Sequence, residues 1–194
     1  YGAGTAITTG GSNTLVGYNA GEAIVDGDGN VCVGTNAGKD ITSGANNVAI
    51  GQDALAQTTT TDANIAIGRN ALQLPDTEAN NLAIGHVAMS GSIAGGEFNV
   101  AIGNGALDAL TSADKNVAIG YNAGGGITTG GGNTLVGNEA GNDITSGTFN
   151  TFFGFEAGDG FDGESHNLGI GSDALGGAIA GGEYNIAIGN YTLD

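Results

Sequence analysis

Few side chains in this chain could do chemistry, and their spacing limits what that chemistry could be. "DGDGN" at 26–30 places Asp26, Asp28 and Asn30 at alternate positions, like the first oxygen ligands of an EF-hand calcium loop. The sixth position of such a loop needs Gly and the twelfth needs Glu, and here they are Val31 and Ala37. Asp26 and Asp28 are therefore candidate calcium ligands that lack the rest of the site, and no other cofactor is expected. "DGFDGE" at 159–164 is a second acidic loop of the same kind. His86 and His166 are too far apart in sequence and phase to read as a metal pair. A single cysteine, Cys32, rules out an internal disulfide or a cysteine-based metal cluster. Ser, His and Asp occur without a nucleophile elbow. The carboxylates that could cleave a glycosidic bond are scattered where solubility alone accounts for them. No enzyme is expected.

Charge narrows the partners further. Twenty Asp and Glu face three Lys and Arg, a net charge of −17. Such a chain cannot neutralise phosphates, so nucleic acid is not an expected partner. No apolar run reaches transmembrane length, and membrane insertion is not expected. Charged residues make up only 12% and hydrophobic residues 40%, which argues for a folded chain and against an acidic disordered tail.

The most frequent polar side chain in a constant setting is Asn. "NVAIG" occurs at 47–51, 99–103 and 116–120, with near-copies between. The repeated Asn residues are Asn13, Asn30, Asn47, Asn64, Asn81, Asn99, Asn116, Asn133, Asn150, Asn167 and Asn185, at steps of 17 or 18. Eleven amides at one phase are better suited to a structural ladder than to a catalytic site. Counting each Asn as position 0, position +4 is always Gly: Gly17, Gly34, Gly51, Gly68, Gly85, Gly103, Gly120, Gly137, Gly154, Gly171 and Gly189. That column reads as a turn that needs positive φ or a close backbone approach.

These columns require an element that recurs. Three apolar residues between Asn and Gly, rich in β-branched types, read as a short strand ended by a turn. Gly is too frequent for helix, and the period fits no helical stripe. A short strand every 17 residues buries its apolar side only by stacking on the next coil. The expected fold is all-β: a parallel β-solenoid of about twelve 17–18-residue coils, ~55–60 Å long. It fills 1–194 as a single domain, with Tyr1–Ser12 as the back of a twelfth coil. Both ends stop within a coil, so flanking fibre segments are expected to cover them.

Two further rules concern packing. Where position +8 is Gly, as at Gly21, Gly38, Gly124, Gly141 and Gly158, position +11 is Ile or Phe. Where +8 is Leu55, Leu72, Met89 or Leu175, position +11 is Thr58, Pro75, Ser92 or Ala178. This reads as two ways of filling one slot. Leu107 with Leu110 breaks the rule and predicts a tighter or bulged coil. "GGEF" (95–98) and "GGEY" (181–184) mark the two 18-residue units and suggest a super-period of five coils.

The strand has two faces. Positions +1 and +3 are expected to point into the coil and +2 outward. Position +2 is never charged, so Ala49, Ala66, Ala83, Ala101, Ala118 and Ala187 are expected to pack against other chains.

The unit Asn-x-Ala-Ile-Gly-x-x-Ala resembles the head repeats of trimeric autotransporter adhesins. It is also similar to the "NTLVGYNAG … ITTGGGNTLVGNEAG" repeats of bacteriophage tail fibres. The resemblance covers nearly the whole chain. It implies a homotrimer of left-handed parallel β-rolls in a virion or extracellular surface fibre, acting in attachment to a host receptor or glycan. The usual adhesin head repeat is shorter than 17 residues, so the loop here is longer. The alternatives are a monomeric solenoid that binds ice, calcium or glycan, and an extracellular matrix filament. Against ice, the Thr column at +12 is interrupted. Five of the six Phe lie between 149 and 161, and Phe155 is the candidate for an exposed ligand-binding aromatic.

Overall fold

The computed structural model describes residues 2–74, 78–177 and 181–193. Eleven three-residue strands form one parallel sheet in chain order. They are β1 (Thr14–Val16), β2 (Val31–Val33), β3 (Val48–Ile50), β4 (Ile65–Ile67), β5 (Leu82–Ile84), β6 (Val100–Ile102), β7 (Val117–Ile119), β8 (Thr134–Val136), β9 (Thr151–Phe153), β10 (Leu168–Ile170) and β11 (Ile186–Ile188). Every strand pairs with the next without slippage, for example Ala49↔Ala66 and Ala66↔Ala83. The chain is an all-β parallel β-solenoid of about ten turns. Residues 2–12 stack on the coil above as the back of a further coil, through bonds such as Gly4 N–H to Ala20 O (3.1 Å), and contain no strand. At ~4.8 Å per rung the sheet is roughly 48 Å long.

The corners come from left-handed backbone. Each coil takes positive φ just before the Asn and at +4, +6 and +8. In the Asn30 coil these are Gly29 (φ 68), Gly34 (φ 137), Asn36 (φ 56) and Gly38 (φ 56). Asn and Asp hold many of the +6 corners, as at Asn19, Asp53, Asn70 and Asn122. At +4 a second constraint acts. A Cβ on Gly51 would lie 2.6 Å from Gly68 O of the next coil.

The interior reverses the expected strand faces. Cys32, Ala49, Ala66, Ala83, Ala101, Ala118, Leu135 and Phe152, all at +2, have no exposed surface, and Ala187 has 1%. The flanking +1 and +3 residues point outward, with Val16 57% and Phe153 57% exposed. The six alanines are therefore core residues and cannot be inter-chain contacts. The reason is the period of two along a strand. The Asn side chain at 0 points inward, so +2 shares its face and +1 and +3 cannot. Ala suits +2 because the coil is thin: Ala20, Ala37, Ala54 and the other +7 alanines of the core meet it from the opposite wall.

Core filling follows a three-way rule among +2, +8 and +11. A Cβ on Gly21 would meet Leu15 Cδ2 at 2.7 Å and Ile24 Cδ1 at 2.8 Å. In the same way Cys32 and Ile41 fill the space over Gly38, and Leu135 and Ile144 that over Gly141. The coil with Leu107 and Leu110 is neither tightened nor bulged. Both leucines are fully buried and β6 keeps its register. Leu107 leans over the next coil, where Ala118 and Gly124 leave room: its Cδ2 lies 3.0 Å from a Cβ placed on Gly124. Volume is thus balanced across neighbouring coils as well as within one. Tyr1, Pro75 and Ala178 lie outside the described residues.

Candidate functional site

The Asn column is a continuous internal ladder. Each side-chain oxygen accepts from the backbone N–H of the Asn one coil on, as in Asn47 N–H to Asn30 Oδ1 (3.0 Å) and Asn116 N–H to Asn99 Oδ1 (2.9 Å). Each side-chain NH2 donates to the carbonyl of the residue three before the next Asn, as in Asn99 Nδ2 to Ala113 O (2.8 Å), ahead of Asn116. One amide thus satisfies two backbone groups in a dry interior, and Asn30 to Asn167 are buried. The side chains leave no surface for a ligand.

Several carboxylates also have structural partners, which their scatter in sequence concealed. Asp28 Oδ1 accepts from Gly11 N–H (2.6 Å), Asp62 Oδ1 from Ala45 N–H (2.7 Å) and Asp114 Oδ1 from Glu97 N–H (2.8 Å). The two 18-residue units share one device. Glu78 Oε1 accepts from Gly95 N–H (2.6 Å), and Glu164 Oε1 accepts from Gly181 N–H (2.8 Å). Each Glu latches the extra residue of the coil above it. The Gly181 bond, ahead of further backbone donors, holds the Glu164 carboxyl below its ordinary value. Of the calcium candidates, Asp28 has one oxygen committed to backbone. Among the described residues no three Asp, Glu, His or Cys side chains are placed to hold a metal ion.

A different acidic group is electrostatically strained. Glu139, Glu156 and Asp173 occupy +6 in three successive coils, one rung apart. Burial first, and then the like charges of Glu156, Asp143, Asp173 and Glu139, push Asp159 up to about 6. In the core, burial pushes the Cys32 thiol up to about 12, which leaves it un-ionised and unreactive.

Two surfaces remain open to partners. The first is the outer face of the sheet, formed by +1 and +3. It carries Val, Ile, Leu, Thr and Phe153 over eleven rungs, with no charged residue in any strand. Ile50, Ile65, Ile119 and Ile170 are each 37–38% exposed. The second is the column before the Asn. There the rings of Phe149 and His166 stack with centroids 5.2 Å apart, and His166 and Tyr184 stack at 4.9 Å and 3°. Phe149, at 60%, is more exposed than Phe155, at 49%. Phe152 and Phe161 lie in the core, 5.5 Å apart. The Phe-rich stretch is thus part core and part surface. Its most open aromatic is Phe149, in place of Phe155. Aligning coils by their Asn shows Phe98, Phe149, His166 and Tyr184 at one phase, a signal that searching within one stretch of sequence misses. No family model, curated protein or solved structure matches this chain.

Proposed function

We propose that this chain is a structural segment of an attachment fibre, such as a phage tail fibre or cell-surface adhesin. In this reading three copies pack their sheets about a common axis into a stiff extracellular or virion-surface rod. One observation carries the proposal: the outer face of the sheet is uncharged on every rung and mostly apolar, while the acidic residues lie on the other arcs of the coil. A stripe roughly 48 Å long and ~10 Å wide, the width of a three-residue strand, is a continuous patch of about 500 Å², a size at which exposed patches are often interaction surfaces. Packing copies of the chain on it buries that stripe. The acidic arcs then face water and keep the rod soluble. The role is mechanical, resting on stacked backbone hydrogen bonds and a continuous core, and needs no catalytic residue. The repeat resemblance to adhesin heads and tail fibres supports the same reading. Light scattering tests it: a trimer has three times the 18.8 kDa of one chain. A particle of one chain mass at micromolar concentration would overturn it.

The exposed aromatic column favours a second reading, a monomeric binding module. In that case the mass is that of one chain and the aromatic column is the binding surface.

A further inference from the structure

A step of Asn or Asp followed by Gly carries a chemistry of its own. Glycine leaves its backbone nitrogen unhindered, so that nitrogen can attack Cγ of the side chain before it. The new N–Cγ bond closes a succinimide ring as ammonia leaves Asn, or as water leaves a protonated Asp. Water then reopens the ring at either carbonyl. One product is isoaspartate, in which the main chain runs through Cγ. The sequence has one Asn–Gly step, Asn104–Gly105, and four Asp–Gly steps, which begin at Asp26, Asp28, Asp159 and Asp162. In an unfolded chain Asn–Gly is the most reactive, because a carboxylate must first be protonated and an amide need not.

The fold disarms that step. Asn104 Oδ1 accepts from His86 N–H (2.9 Å), and Gly105 N–H donates to His86 O (3.0 Å). One residue of the previous coil thus holds both reacting groups. Gly105 is buried, and a Cβ on it would collide with Asn122 Oδ1, so an added main-chain atom has no room. Asp28–Gly29 is clamped in the same way on Gly11, by Gly11 N–H to Asp28 Oδ1 (2.6 Å) and Gly29 N–H to Gly11 O (3.0 Å). Asp162 Oδ1 accepts from Thr145 Oγ1, and Gly163 N–H faces the Glu164 carboxylate. Gly27, after Asp26, is buried against Gly44 O, which blocks rotation of its peptide.

Asp159–Gly160 has none of these restraints. In other coils the N–H at this position, +10, donates to the coil that follows, as in Ala23 N–H to Lys39 O (3.0 Å) and Gly126 N–H to Asn142 O (2.8 Å). Among the described residues Gly160 N–H has no acceptor and the Asp159 carboxyl no hydrogen-bond donor. Both residues are half-buried, so water reaches the ring that would form. We propose that Asp159–Gly160 is the step that isomerises spontaneously to isoaspartate in the folded chain, in place of the Asn104–Gly105 step that reactivity alone would select. The carboxyl is also suited to the reaction. Burial, and then Glu156, Asp143, Asp173 and Glu139, push it up to about 6, so near that pH much of it is the neutral acid that can lose water. The inference does not rest on the fibre reading, because isomerisation and particle mass are measured separately and each can fail alone.

The test is incubation of the full chain for weeks at pH 6 and 37 °C, folded and in guanidinium chloride. Peptide mapping by electron-transfer mass spectrometry then separates isoaspartate from Asp and detects loss of the Asn104 amide. In the folded chain isoaspartate should accumulate at 159. Asn104 should react at least about tenfold more slowly than in guanidinium chloride, because its bonded N–H must open first. In guanidinium chloride the order should reverse, with Asn104 ahead of Asp159. G160A should remove the signal at 159. Gly160 does not use left-handed backbone, so Ala fits there, and an unchanged melting temperature verifies the fold. Three results would each overturn the proposal: Asn104 reacting as fast folded as unfolded, isoaspartate at Asp26, Asp28 or Asp162 ahead of Asp159, or no isoaspartate at 159 in the folded chain by the time the unfolded chain is half converted.

Discussion

At the scale of single residues, burial has removed the solution chemistry of the ladder amides and of the single thiol, Cys32. Asn99 Oδ1 accepts from Asn116 N–H and its NH2 donates to Ala113 O, all within the core. N99A strands both backbone groups, at ~1–3 kcal/mol for each unsatisfied buried group. We expect a loss of about 2–5 kcal/mol in denaturant melts. A loss under about 0.5 kcal/mol would mean that water replaces the amide and that the ladder is not a stabilising element. Cys32 gives a second expectation. With its thiol pushed up to about 12 and no exposed surface, it should resist thiol reagents at pH 8 until the chain is unfolded. Rapid labelling of the native protein would contradict its place in the core. The ladder was legible from sequence, because eleven recurrences at one phase have few physical explanations. Its partners were not, because both the N–H and the carbonyl belong to the next rung, which only the folded path of the coil brings over the amide.

At the scale of the coil, electrostatics divides the acidic residues into two kinds. Asp28, Asp62, Asp114, Glu78 and Glu164 accept backbone N–H groups of the neighbouring coil. The Glu139–Glu156–Asp173 column and Asp159 beside it have mainly one another as electrostatic neighbours. Asp159 titrates at about 6 in the fold, against an ordinary value of 3.8. The folded state therefore takes up a proton that the unfolded chain does not hold at the same pH. The destabilising charge is fully present above about pH 6, and stability rises as pH falls through that value. Glu164 acts in the opposite sense, but its contribution is lost only as pH falls through a value below 4.5. The melting temperature should therefore be higher at pH 5 than at pH 7. D159N should raise it at pH 7 and flatten the difference. A melting temperature equal at both pH values would show that the column is effectively screened by solvent. Sequence placed Glu139, Glu156 and Asp173 in one column but explained them by solubility alone. Their coupling to Asp159 depends on how the corner folds.

At the scale of the whole molecule, a solenoid this thin cannot hide both faces of its strand. With one inward residue per strand, +1 and +3 must point away from the interior. Here they make an uncharged stripe along the whole sheet. If copies of the chain meet on that stripe, I84K and I119K together should convert the trimer to a species of one chain mass. A matched outer-arc control such as T129K should leave the mass unchanged. Dissociation by the control and not by the stripe pair would place the interface elsewhere.

The sequence by itself determined the repeat, the strand and turn in each unit, the parallel stacking and the exchange of volume between +8 and +11. All of these are properties of one dimension, read directly from spacing. The facing of the strand was also latent in it. An inward Asn at 0 commits +2 to the same side, and overlooking that parity exchanged the alanines with the valines and isoleucines. What only the tertiary structure decided is what meets across coils: the glutamate latches at Gly95 and Gly181, the room over Gly124 for Leu107, and the stack of Phe149 on His166. Each joins residues about one coil length apart. Their distance depends on where the corners turn the chain, and that path is set by the left-handed backbone at −1, +4, +6 and +8 acting together.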